Sequence, residues 1–138
     1  MKAALRRSAG ALFASLVALP GVAGPYDQPY SLFQADGRSP TRDTSPATVM
    51  KIDGKNNSVG RPDPIAPGMH TIEVSIPGPR GMSNPRRDTL EIDAKPCTRY
   101  YLSAKRSSPT DDDWKAFVSF QEPIGECAKK FPATKQGK

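Results

Sequence analysis

The sequence predicts an all-β protein, a small antiparallel sandwich of the immunoglobulin-like or prealbumin-like kind, closed by one disulfide. Three observations predict it. Short runs of alternating apolar and polar residues recur from Thr48 onward. Clusters rich in proline and glycine separate those runs, and the only two cysteines, Cys97 and Cys127, bracket the last two of them. No stretch beyond the first twenty-odd residues sustains a helical period long enough to build a core helix.

The strands follow in order. "TVMKI" (Thr48–Ile52) is short and β-branched at both ends. "IDGKNNSVG" (Ile52–Gly60) then sets Asp-Gly directly after an apolar run, a turn signal because glycine tolerates positive φ. "MHTIEVSI" (Met69–Ile76) alternates cleanly, with His70, Ile72, Val74 and Ile76 on one face. "RRDTLEID" (Arg86–Asp93) alternates through Leu90 and Ile92. "TRYYLSAKR" (Thr98–Arg106) aligns Tyr100, Leu102 and Ala104, and "WKAFVSFQE" (Trp114–Glu122) aligns Trp114, Ala116, Val118 and Phe120. The segments "RPDPIAPG", "IPGPRGMSNP" and "SSPTDDD" are the connections.

The ends carry a different message. Lys2, Arg6 and Arg7 precede an apolar stretch, Ala9–Leu19, and small residues at Gly21 and Ala23 precede a cleavage point. This is the layout of a cleaved signal peptide over residues 1–23, cut after Ala23. The apolar stretch is about half of what a membrane-spanning helix needs, so no stable membrane anchor is expected. The expected organisation continues with a flexible arm or linker at 24–46, in which "YSLF" (Tyr30–Phe33) reads as a short edge strand or a segment packed on the domain, then the sandwich at 47–128 and a basic disordered tail at 129–138. The destination is the periplasm or the medium. The formal charge of +6 dissolves under this reading. Of twenty basic residues, three leave with the leader and four (Lys129, Lys130, Lys135, Lys138) sit in the tail, so thirteen face fourteen acids across 24–128. That is not the basic footprint of nucleic-acid binding, which is excluded as a partner class.

An oxidising compartment favours pairing Cys97 with Cys127, and antiparallel neighbouring strands would bring those two positions together. The rival use, a thiol nucleophile with His70 as its base, is disfavoured. The candidate sites are few. "IDGKNNSVG" fails as a calcium loop, since Lys55 falls among its would-be ligands, and as a phosphate loop, since Gly54-Lys55 is followed by Asn56. "DDD" (Asp111–Asp113) reads as a solvated turn. His70, the sole histidine, reads as a packed or hydrogen-bonded side chain. Arg80, Arg86 and Arg87 form a basic loop that is a possible partner-binding surface. Tyr101 and Phe117 point away from the core set and are possible exposed aromatics. No catalytic residue, metal ligand set or cofactor is expected.

One resemblance adds to this. "IDG", "GRP" (Gly60–Pro62) and "APGMHTIEVSI" (Ala66–Ile76) together resemble the PEGA domain, a small β-domain of bacterial envelope and extracellular proteins. The family's usual Gly-Tyr after the strand is missing here. "PCTRYYLSA" and "EPIGEC" are similar to uncharacterised secreted proteins of Gram-negative bacteria. The resemblance implies fold and location, not chemistry. The expected function is therefore a non-catalytic exported binding or structural module of the bacterial cell envelope, contacting an envelope protein or glycan. The alternatives are a secreted inhibitor or adaptor of an envelope hydrolase, with the Pro77–Pro85 loop as its probe, and, less favoured, a small hydrolase.

Overall fold

The computed structural model describes residues 21, 23–38, 41–58, 60–78 and 84–132. Arg80, residues 1–20 and 22, where a signal peptide is expected, and residues 133–138 lie outside the described residues. The elements are β1 (Leu32–Ala35), β2 (Thr44–Pro46), β3 (Thr48–Ile52), β4 (Lys55–Asn56), β5 (Gly68–Ile76), β6 (Arg86–Ala94), β7 (Thr98–Lys105), β8 (Lys115–Pro123) and a short helix α1 (Gly125–Lys130). They form two four-stranded sheets: one ordered β4-β3-β5-β6, the other built around β7. The protein is an all-β sandwich with one disulfide.

The alternation read in β5 and β7 places its apolar rows in the core. Ile72, Val74, Tyr100, Leu102 and Ala104 are all buried between the sheets, and Phe33 of β1 stacks on Tyr100 with ring centroids 5.2 Å apart. In β3 the register shifts between Val49 and Lys51, so Met50 is an extra residue. Val49 and Ile52, three apart in sequence, can therefore both point inward, and both are buried.

The Asp-Gly turn forms as expected. Asp53 (φ 50°) and Gly54 (φ 78°) are both left-handed and join β3 to β4, the combination a two-residue type I′ hairpin requires.

The second sheet departs from expectation at its N-terminal side. Residues 24–46 are not merely an arm: they supply β1 and β2, with Tyr30, Ser31, Leu32 and Phe33 buried. The two strands share one edge of β7. β1 pairs with Arg99–Leu102 in parallel and β2 pairs with Ser103–Lys105 antiparallel, so the sandwich is not wholly antiparallel. The handover is at Leu102, whose carbonyl accepts N–H bonds from Asp36 (2.9 Å) and Ala47 (3.1 Å). The four-residue β1 and the three-residue β2 are thus strands because a long partner offers them unpaired backbone groups.

The other end of the chain also packs. Cys97 and Cys127 are bridged, with Cα atoms 5.3 Å apart, and join Tyr30, Leu32 and Ile124 in a small second core. The bridge rules out the thiol–histidine reading. Lys129 and Lys130, read as disordered tail, are the last turn of α1. The Lys130 ammonium donates to the Tyr26 carbonyl at 2.8 Å, tying the two ends together. No helix of the described residues is long and apolar enough to cross a membrane.

Candidate functional site: the outer face of the second sheet

β8 carries one residue too many. Its pairing with β7 shifts between Tyr101 and Leu102: Tyr101 faces Phe120, whereas Leu102 faces Val118. Ser119 is the bulged residue. A bulge reverses the side-chain parity of everything beyond it. Phe120, expected in the core with Trp114, Ala116 and Val118, therefore moves to the outside, 41 % exposed. Trp114 and Ala116 pack against the core as expected. Val118 lies at the boundary and is itself exposed.

The outer face is thereby defined row by row. Gln34, Tyr101 and Phe120 lie side by side across β1, β7 and β8. The Tyr101 and Phe120 rings are 5.7 Å apart, and the Arg38 guanidinium lies 3.9 Å from the Phe120 centroid and 5.2 Å from that of Tyr101. That distance allows a cation–π contact. Phe117 is on the same face but not beside Tyr101. It lies opposite Ser103, half-buried, with the Lys105 ammonium 5.1 Å from its ring. The expected Tyr101–Phe117 pair is thus replaced by Tyr101–Phe120.

Polar contacts hold this surface in place. Arg38 bonds Asp36 through Nε (3.2 Å) and through its backbone N–H (3.0 Å). The bulged Ser119 hydroxyl in turn donates to Asp36 Oδ2 at 2.6 Å. The Ser119 bond is the main reason that the Asp36 carboxyl stays below the usual range; the contacts from Arg38 add to it, against a partial loss of hydration. The Tyr101 hydroxyl donates to Glu122 at 2.6 Å, and Arg99 reaches the same oxygen at 3.3 Å. Gln34, Asp36, Arg38, Tyr101, Phe120 and Glu122 border a shallow depression of about 580 Å³. Lys105 and Lys115 stand farther along the same face of β7 and β8, with Lys115 3.6 Å from Asp113.

The other candidates fall differently. Arg86 and Arg87 are not in a loop but are the first residues of β6, on opposite faces of that strand. Arg87 bonds Glu73 at 2.6 Å, and Arg86 lies 3.6 Å from Asp113. They do not make one basic patch. His70 Nδ1 lies 2.6 Å from Asp53 Oδ2 and its Nε2 faces the Ala66 carbonyl. Thr71 N–H donates to the other Asp53 oxygen at 2.9 Å. The His70 bond foremost, then that of Thr71, holds the Asp53 carboxyl below its ordinary range. Nδ1 thus clasps the β3–β4 turn to β5, and Nε2 holds the stretch just before β5. Among the described residues no three His, Cys, Asp or Glu side chains converge to hold a metal ion.

Gln34, Asp36, Arg38, Ser119 and Glu122 were not singled out from the sequence. "QADGR" (Gln34–Arg38) carries a turn signal and nothing more, and Phe120 was assigned to the wrong face because a bulge has no reliable signature.

The fold and this surface define a class, a small disulfide-bonded β-sandwich with an aromatic and basic outer face. Comparison with protein-family models, with curated proteins and with solved structures returned no match.

Proposed function

We propose that this protein is a non-catalytic, exported binding module of the bacterial cell envelope, and that the outer face of β1, β7 and β8 contacts a protein partner with an acidic surface. One observation carries the reading: the stack of Arg38 on the exposed Phe120 and the half-buried Tyr101, pinned by Asp36, Ser119 and Glu122. Apolar rings left in water without a covering element mark interaction surfaces. Arginine and tyrosine are also the residues that dominate binding energy at protein interfaces. The depression is open and shallow, whereas small-molecule sites enclose most of their ligand. The Arg38 guanidinium, lying over the two rings, is the group on this face that would meet a carboxylate of the partner. The sequence layout of the leader, the bridge and the likeness to PEGA domains support export to the envelope.

The test compares the wild-type protein with Arg38→Ala and Phe120→Ser on immobilised protein and on purified cell-wall glycan. Salt-sensitive retention of one envelope protein from extract, lost in both variants, is the expected result. Retention that survives both substitutions overturns the assignment of the face. Retention by glycan alone overturns the assignment of the partner. The inhibitor reading has no comparable support, because Arg86 and Arg87 lie on opposite faces of β6 and make no single patch.

A further inference from the structure

We infer that β6 is a pairing edge for a second copy of this chain, forming a two-fold dimer through an antiparallel β6–β6 ladder. β6 and β8 each end a sheet, with no strand on their far side among the described residues. The β8 edge is poor for pairing: it is bulged, it ends at Pro123, and Asp88 Oδ2 takes its Ala116 N–H at 2.8 Å. The β6 edge is nine residues long and runs against β5 without a register shift, from Gly68↔Ala94 to Ile76↔Arg86.

The hydrogen bonds reveal which β6 residues present backbone outward. Thr71 directs its N–H and carbonyl toward Asp53, on the β3 side of β5. Antiparallel ladders alternate, so Ile72 and its neighbours two residues away point theirs toward β6. Their partners Asp88, Leu90 and Ile92 are therefore spent on β5. Arg87, Thr89, Glu91 and Asp93 point outward. Thr89 agrees with this assignment: its N–H is taken by the adjacent Asp88 Oδ1 at 2.9 Å, a local contact that a partner strand can replace.

Those four residues also share the solvent face, and their order selects one register. A two-fold axis at Leu90 overlaps all nine residues and sets Arg87 opposite Asp93 of the second copy, twice by symmetry. Thr89 then faces Glu91, and Arg87 is also diagonal to Glu91, both favourable cross-strand relations. Moving the axis to Glu91 puts two glutamates face to face, and moving it to Ile92 opposes Glu91 to Asp93. Moving it to Thr89 keeps Arg87 opposite Glu91 but leaves Asp93 opposite Pro85, which has no N–H to give. Acidic and basic side chains on an edge ordinarily deter pairing with strangers. Here the same charges complement their own copy.

Sedimentation of the purified disulfide-bonded chain tests this. A concentration-dependent dimer is expected. Arg87→Asp or Asp93→Arg alone places like charges opposite each other twice and raises the dissociation constant roughly tenfold or more. The double exchange Arg87→Asp with Asp93→Arg restores association. Glu91→Pro removes an outward N–H that the β5–β6 ladder does not use, and is expected to abolish the dimer. Melting curves confirm that each variant is folded. A monomer at millimolar concentration overturns the inference, as does a dimer indifferent to both charge reversals or one that the double exchange does not rescue.

Discussion

Reducing the Cys97–Cys127 bridge is expected to lower the melting midpoint by about 15 °C. The two cysteines are separated by 30 residues. Releasing a loop of that size returns about 3.6 kcal/mol of chain entropy to the unfolded state at room temperature. For a domain slightly above one hundred residues, each kcal/mol moves the midpoint by about 4 °C. The structure shows where the loss is felt. Cys97 adopts φ 52°, donates its N–H to the Tyr30 carbonyl at 2.9 Å and accepts the Ile124 N–H at 2.8 Å. The second core therefore joins the approach to β1, the start of β7 and the entry to α1 through one residue. Circular dichroism melts with and without reductant, and of Cys97→Ala with Cys127→Ala, measure the shift. A change below about 3 °C would refute the reasoning, because the entropy of a loop this size cannot be that small.

Four further outcomes follow from the same geometry. Phe33→Ala empties a fully buried site stacked on Tyr100, and chemical denaturation should show a loss of about 3–5 kcal/mol. Gly54→Val forces a β-branched residue to φ 78° and should cost roughly 1–2 kcal/mol by the same measurement. Asp53 is held below its ordinary range by His70 and then Thr71. Its folded value is depressed, so its contribution is complete above the unfolded carboxylate range near pH 4 and is lost as pH falls through the folded value. Asp53→Asn should remove that part of the acid dependence below about pH 4; equal acid slopes for the two proteins would contradict it. Ser119→Ala removes the principal bond to Asp36, and an NMR titration should find the Asp36 carboxyl moved up toward the ordinary range.

Strand positions were legible where a strand has one wet and one dry face. β5 shows this best: the row Ile72, Val74, Ile76 is buried and Thr71 is exposed, because period two is written directly in residue type. The turn at Asp53-Gly54 was legible for a similar reason, since few residues tolerate its left-handed backbone. β1 and β2 were only partly so. Their pairing depends on the β7 edge 57 to 67 residues away, and "TSP" carries no periodic signal.

The candidate face was the least legible part. Arg38 and Phe120 are 82 residues apart, and they meet only because Ser119 is bulged and β1 runs parallel to β7. Local composition alone determined that this chain is a stapled all-β domain and where most of its strands run, since alternation, turn chemistry and two cysteines are properties of neighbours in sequence. Tertiary structure decided which face each aromatic ring occupies and which polar groups pin it. One inserted residue inverts a strand's two sides, and the energy that selects it resides in contacts with distant partners.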